Sequence, residues 1–148
     1  MSAAKHTPRS ILEAFYAAER VYMAAPQEQR DFAPMAATLS PDLLLEQTPA
    51  LPYGGTFHGP AGMQEWARQM ADLFDTVDVQ NPEFFERDGS ERIVILGNLH
   101  LRVRKSGEEM DSPFAQVVAV DLEAGVIKSI RPLYWDVHRL NKAVGYQP

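Results

Sequence analysis

Only a few side chains in this sequence have the type and setting to move a proton or grip a polar guest. His100, in Asn98-Leu99-His100-Leu101, carries a neutral imidazole that gives or takes a proton near pH 7. The alternation Ile93, Ile95, Gly97, Leu99, Leu101, Val103 claims the core face of the same strand. It would turn Asn98 and His100 outward, to solvent or a partner, unless a bulge near Gly97-Asn98 reverses them. Asp136 reads either as an acid at a pocket rim or as the cap of a last helix, where it contributes about 1 kcal/mol. Glu46 lies between Leu45 and Gln47, so one parity of this strand faces any interior. A glutamate buried there would have a raised pKa suited to acid or base work, and one on the outer face would be solvated.

The remaining candidates are binders rather than proton carriers. Tyr16, Tyr22, Tyr53 and Tyr134 can donate hydrogen bonds to a carbonyl or epoxide oxygen, or satisfy themselves on backbone carbonyls. Gln116 shares parity with Phe114, Val118 and Val120, which aims an amide into an apolar interior where it needs partners. Arg131 shares parity with Leu133 and Trp135, expected on the inner face. It either holds an anionic group or pairs with a nearby acid. Trp66 and Trp135 read as walls. His6 and His58 lie in segments read as mobile and unspecific.

Composition narrows the chemistry further. The chain has no cysteine, which removes disulfides, thiol catalysis and zinc-thiolate sites. No spacing suggests a metal site, a phosphate loop or a Ser-His-Asp triad. A formal charge of -6 gives no electrostatic case for nucleic acid. Residues 1–8 contain no apolar leader, and no run approaches the roughly 18 apolar residues of a membrane span. A cytoplasmic protein is the expectation.

These side chains must be positioned by helices first and strands afterwards. Thr7-Pro8 opens a helix running to about Ala25, with a stripe of Ile11, Leu12, Phe15, Tyr16, Glu19, Tyr22 and Met23. Asp31 caps a second helix ending at Ser40-Pro41-Asp42, and Leu43 to Thr48 forms a short strand. Pro49 to Gly59 reads as a loop or broken hairpin, and Pro60 to about Phe74 as a third helix. From Asp75 the period becomes two, predicting strands near 76–87, 92–105, 110–121 and 126–135, with turns at Asp88-Gly89, Ser106-Gly107 and Ala124-Gly125. Pro82 should mark an edge or bend and Pro132 a bulge. Asp136 opens a final helix closed by Gly145. The 148 residues fit one α+β domain, 1–148, with residues 1–7 as a flexible tail.

Three stretches carry a resemblance: Ile11-Leu12-Glu13-Ala14-Phe15-Tyr16-Ala17-Ala18, Gly59-Pro60-Ala61-Gly62-Met63-Gln64-Glu65-Trp66, and Ile127 to Asp136. With their order and spacing, the chain resembles the nuclear-transport-factor-2-like superfamily, in its SnoaL-like branch. That branch is similar to ketosteroid isomerase and limonene epoxide hydrolase. The resemblance implies a cone-shaped, curved antiparallel sheet with three N-terminal helices on its concave face, a cystatin-like roll. It implies a conical pocket, no cofactor and dimers through the outer sheet face.

Where ketosteroid isomerase has its base aspartate, this chain has Thr48 before Pro49, while Tyr16 resembles the isomerase's oxyanion tyrosine. The water-activating acid of the epoxide hydrolases falls here on Pro132 or Leu133. His100 with Asp136 best resembles the catalytic pair of SnoaL-like cyclases. The expected function is a cofactor-independent cyclase or isomerase working by general acid-base catalysis on an apolar oxygenated molecule of polyketide or terpenoid type. The alternatives are an epoxide hydrolase-type enzyme and a non-catalytic ligand-binding or dimerisation module. His100, Asp136 and Glu46 are the expected catalytic groups; Tyr16, Tyr22, Gln47, Tyr53, Trp66, Asn98, Gln116, Arg131, Tyr134 and Trp135 are the expected binders. An open cone favours the enzyme, a filled one only association.

Overall fold

A computed structural model describes residues 6–148. The tail expected over 1–7 therefore falls outside the described residues up to residue 5, while Thr7 belongs to the first helix as its cap. Helix α1, Pro8–Ala24, opens on a reciprocal box. The Ser10 backbone N–H donates to Thr7 Oγ1 at 3.0 Å, and the Thr7 N–H donates to Ser10 Oγ at 2.9 Å. Its buried face is the stripe read from sequence, Glu19 included. A single 3-10 turn, Gln27–Gln29, leads to helix α2, Ala33–Ala36.

Strand β1, Leu39–Gln47, begins earlier than expected. Ser40-Pro41-Asp42, read as a helix stop, lies inside it. The pairing of β1 is interrupted between Leu39 and Leu44, and a proline without an N–H fits a gap in the ladder. Strand β2, Gly55–His58, pairs antiparallel with β1 and leads directly into helix α3, Gly59–Leu73. Strands β3, Phe74–Glu86, β4, Arg92–Val103, β5, Glu109–Asp121, and β6, Val126–Tyr134, then form the expected meander, followed by helix α4, Val137–Val144. Gly145, at φ 73°, takes the left-handed position that ends α4.

The six strands form one curved sheet in the order β2-β1-β6-β5-β4-β3. β6 is central, and its pairing with β1 is parallel, a closure that no local pattern announced. Pro82 lies where expected, on edge strand β3 at a bulge where Asn81 has φ 51°. α1 packs on β3 and α3 on β1, on one face of the sheet. Arg104 fastens both helices, its guanidinium donating to Met23 O at 2.7 Å and Ala71 O at 2.8 Å.

Side-chain parity in β6 differs from expectation. Its register against β5 shifts between Ala119 and Val120, opposite Ile127 to Ser129. One extra residue there reverses the faces that follow. Ile127, Ile130, Pro132 and Tyr134 turn inward, while Arg131, Leu133 and Trp135 turn outward, the last two 51% and 82% exposed. The expected inward set of Arg131, Leu133 and Trp135 is thereby corrected. Pro132 is not the bulge either. It pairs in register with Gln116, and the ladder bond from Trp135 N to Pro113 O at 3.1 Å makes the Pro132 pair a non-hydrogen-bonded one, where no N–H is needed.

Candidate functional site

The inner surface gathers a polar group where an apolar core would suffice. Gln116 projects inward from β5, as its parity required, and its Oε1 accepts a hydrogen bond from the Tyr16 hydroxyl of α1. Tyr53, fully buried in the β1–β2 connection, donates to the hydroxyl of Tyr134 at 2.9 Å. The Gln47 amide, at the end of β1, lies beside the same Tyr134 oxygen. The rings brace one another: Tyr134 lies 6.4 Å from Tyr53 and 6.3 Å from Phe114.

Glu19 completes the group, one helical turn beyond Tyr16 on α1. It is 5% exposed. Burial pushes its carboxyl up to about 8, with Asp78 adding to the shift and Arg20 opposing it. Among the described residues no hydrogen bond offsets that burial, so the carboxyl is largely protonated at neutral pH. Its charge would be felt by Tyr16, Tyr53 and Tyr134, whose own pKa values are raised mainly by burial. Four further buried atoms have no partner among the described residues: Gln47 Oε1, Trp66 Nε1, Ser112 Oγ and Asn141 Oδ1.

The expected catalytic residues do not join this group. His100 faces outward as β4 parity implies, with no bulge to reverse it. Its Nδ1 lies 2.8 Å from Asp111 Oδ1 and its Nε2 3.1 Å from Glu109 Oε1. Those two carboxylates, Asp111 first, raise its pKa. Asn98 donates to the same Asp111 at 2.9 Å. Asp136 caps α4, accepting from Arg139 N at 3.0 Å, and among the described residues the partners of His100 are Asp111 and Glu109 rather than Asp136. Glu46 is on the outer face too, paired with Arg131 at 2.9 Å.

Among the expected binders, Tyr16, Gln47, Tyr53, Gln116 and Tyr134 are brought together inside. Trp66 is a buried wall on α3. Tyr22 instead meets the edge of Phe32, with ring centroids 5.8 Å apart. Glu19 was missed as a site residue, although the signal was present: a carboxylate in a helical stripe that is otherwise apolar or aromatic.

Two surface cavities lie near this end of the sheet. One of about 800 Å³ lies between Ala50, α4 and the C-terminal residues. Another, about 420 Å³, is an apolar groove at the end of β6, walled by Leu96, Pro113, Leu133 and Trp135. Phe114 and Tyr134 form its inner side, which makes Tyr134 common to the groove and the buried polar group. Inside the sheet, the Tyr16–Gln116 and Tyr53–Tyr134 pairs run from α1 and the β1–β2 connection to strands β5 and β6.

No protein-family model matches the sequence, and no curated protein sequence does. Solved structures match over nearly the full chain. TerC, co-crystallised with polyporic acid, is 19% identical with a TM-score of 0.74, over 94% of this chain and 99% of its own. A nuclear-transport-factor-2-like protein of unknown function from Burkholderia pseudomallei is 22% identical with a TM-score of 0.73, over 93% and 96%. A candidate SnoaL-like polyketide cyclase from Shewanella denitrificans is 12% identical with a TM-score of 0.68, over 92% and 96%. At such identities the likeness is one of architecture, and by its curved sheet, its helices and these matches the chain has the nuclear-transport-factor-2-like fold.

Proposed function

We propose that the chain is a cofactor-independent enzyme that moves a proton on an apolar, oxygenated small molecule, with Glu19 as the proton carrier. One observation carries this reading: a buried carboxyl with no hydrogen-bond partner among the described residues, set among three tyrosines. A core serving only as scaffold would lose stability from that carboxyl and from each unpartnered polar atom, about 1–3 kcal/mol apiece. Such departures from a satisfied core concentrate at functional sites.

The chemistry suited to the group is enolisation. With its pKa near 8, Glu19 is present at neutral pH both as acid and, in part, as carboxylate. The carboxylate takes the proton from a carbon next to a carbonyl, and the electron pair of that C–H bond moves toward the carbonyl oxygen. A tyrosine hydroxyl donates a hydrogen bond to the enolate as it forms. Return of the proton to the same carbon is exchange; its return to another carbon is isomerisation. Neither needs a co-reactant.

The test is deuterium exchange into 1-tetralone in D2O, followed by proton NMR. Wild-type protein should accelerate exchange, and Glu19→Gln should remove about 100-fold or more of that acceleration with the fold intact. Equal rates for the two proteins would end the acid-base reading.

A second reading rests on Leu96, Leu133 and Trp135, which leave 48%, 51% and 82% of their surfaces exposed on one face. In that reading the outer sheet face pairs with a second copy and the fold serves association. Sedimentation equilibrium separates the two: a dimer broken by Trp135→Asp, with no exchange activity in either form, would favour association.

A further inference from the structure

Glu19 is buried, yet the next residue of α1 and the strand beneath that helix bring two opposite charges close to it. The Arg20 guanidinium lies 3.7 Å from the Asp78 carboxylate of β3, and both side chains reach solvent. α1 packs on β3 more than on any other strand, so the pair stands at the seam where the buried acid enters the core. At that distance the contact is an ion pair without a hydrogen bond, and neither charge is fully cancelled by the other.

The second oxygen of Asp78 is tied to the sheet. Gln80 Nε2 donates to Asp78 Oδ2 at 3.4 Å, and Asn98 Nδ2 donates to Gln80 Oε1 at 3.4 Å and to Asp111 Oδ1 at 2.9 Å. Asp111 in turn meets His100 Nδ1 at 2.8 Å, and His100 stands opposite Asp78 in the β3–β4 register. A continuous line of side chains therefore crosses β3, β4 and β5 from Arg20 to His100 and keeps the Asp78 carboxylate in place.

The two ends of the ion pair act on a neighbouring carboxyl in opposite senses. A carboxylate disfavours its ionisation, and a guanidinium favours it. Among the described residues, Arg20 and Asp78 are the charged groups that bear on Glu19, and the hydroxyls of Tyr16, Tyr53 and Tyr134 are the other titratable groups around it.

We propose that Arg20 and Asp78 are positioning residues for the proton of Glu19: Asp78 holds the carboxyl in its acid form, Arg20 draws it toward the carboxylate, and the line to His100 fixes the balance by anchoring Asp78. Neither residue touches a reacting atom. The inference rests on the reading of Glu19 as the proton carrier, and it concerns the pH at which the base form appears rather than the reaction that form performs.

The experiment follows the side-chain carboxyl carbon of Glu19 by NMR as pH is raised, in protein carrying 13C-labelled glutamate; the Glu19 signal is the one that Glu19→Gln removes. Asp78→Asn keeps an acceptor for Gln80 and deletes the charge, and it should lower the titration midpoint by about half a pH unit or more. Arg20→Gln should raise it by a similar amount, and the double variant should fall between the two. An ion pair that only fastens α1 to β3 would move both single variants in the same direction or in neither, and either result overturns the proposal. Deuterium exchange read on the same samples separates this inference from the one beneath it. Opposite displacements in proteins that catalyse no exchange would uphold the electrostatic assignment and end the enzymatic reading. Exchange that Glu19→Gln abolishes, with midpoints unmoved in Asp78→Asn and Arg20→Gln, would do the reverse.

Discussion

Replacing Glu19 by glutamine should stabilise the protein, and increasingly so as pH rises. In the folded chain the carboxyl holds its proton up to about 8, against an ordinary value of 4.5. Between those values the unfolded chain has released a proton that the folded chain retains. The folded state therefore binds more protons, and stability falls as pH climbs through this window, levelling off above about 8. The span from 4.5 to about 8 is about 3.5 pH units, and at about 1.36 kcal/mol per unit this gives a loss of about 5 kcal/mol. That is comparable to the whole stability of a small domain, about 5–15 kcal/mol. Glutamine keeps the shape and escapes the titration. Urea unfolding followed by circular dichroism at about pH 5, 7 and 9 should show the two proteins converging at the acid end and Glu19→Gln pulling ahead by several kcal/mol at the alkaline end. Parallel curves, or a wild type that gains on the variant with rising pH, would refute the assignment of Glu19 as a buried, protonated group.

Three other outcomes follow from the same geometry. Tyr16→Phe removes the donor to Gln116 Oε1 and should cost about 1–3 kcal/mol, most of it recovered when Gln116 is also made Leu; urea titration of the single and double variants decides. Asp136→Ala loses the cap on Arg139 N and should cost about 1 kcal/mol while leaving deuterium exchange unchanged; lost exchange in a folded variant would return Asp136 to the site. His100 should titrate above 6.5 by NMR, because Asp111 and Glu109 favour its charged form. Its contribution to stability is complete below 6.5 and is lost as pH rises through the raised value, so His100→Gln should lose least against wild type at alkaline pH.

The sequence made the fold legible because its signals were local. The Thr7-Pro8 helix start, the turn glycines and the change of period after Phe74 each speak for a neighbourhood of a few residues. What escaped was long-range. The parallel pairing of β1 with β6 joins segments far apart in the chain, and the extra residue near Lys128 shows only against the facing strand. That single residue decided which way Arg131, Leu133 and Trp135 point. The alternation in β4 had already placed His100 outside, and the resemblance to cyclases pulled the reading the other way. At the site, Tyr16, Gln116 and Tyr134 were found because tyrosine and amide side chains stand out on an apolar face. Glu19 was passed over because one turn of helix carried it inside a stripe read only for packing.

The most direct measurement of the central claim is a crystal structure of the protein with 1-tetralone. With Glu19 as the proton carrier, the carbonyl oxygen should lie within hydrogen-bonding distance of a tyrosine hydroxyl and the adjacent carbon should face Glu19. A ketone bound away from Glu19, or a second protein copy on the outer sheet face with no ketone inside, would contradict that placement.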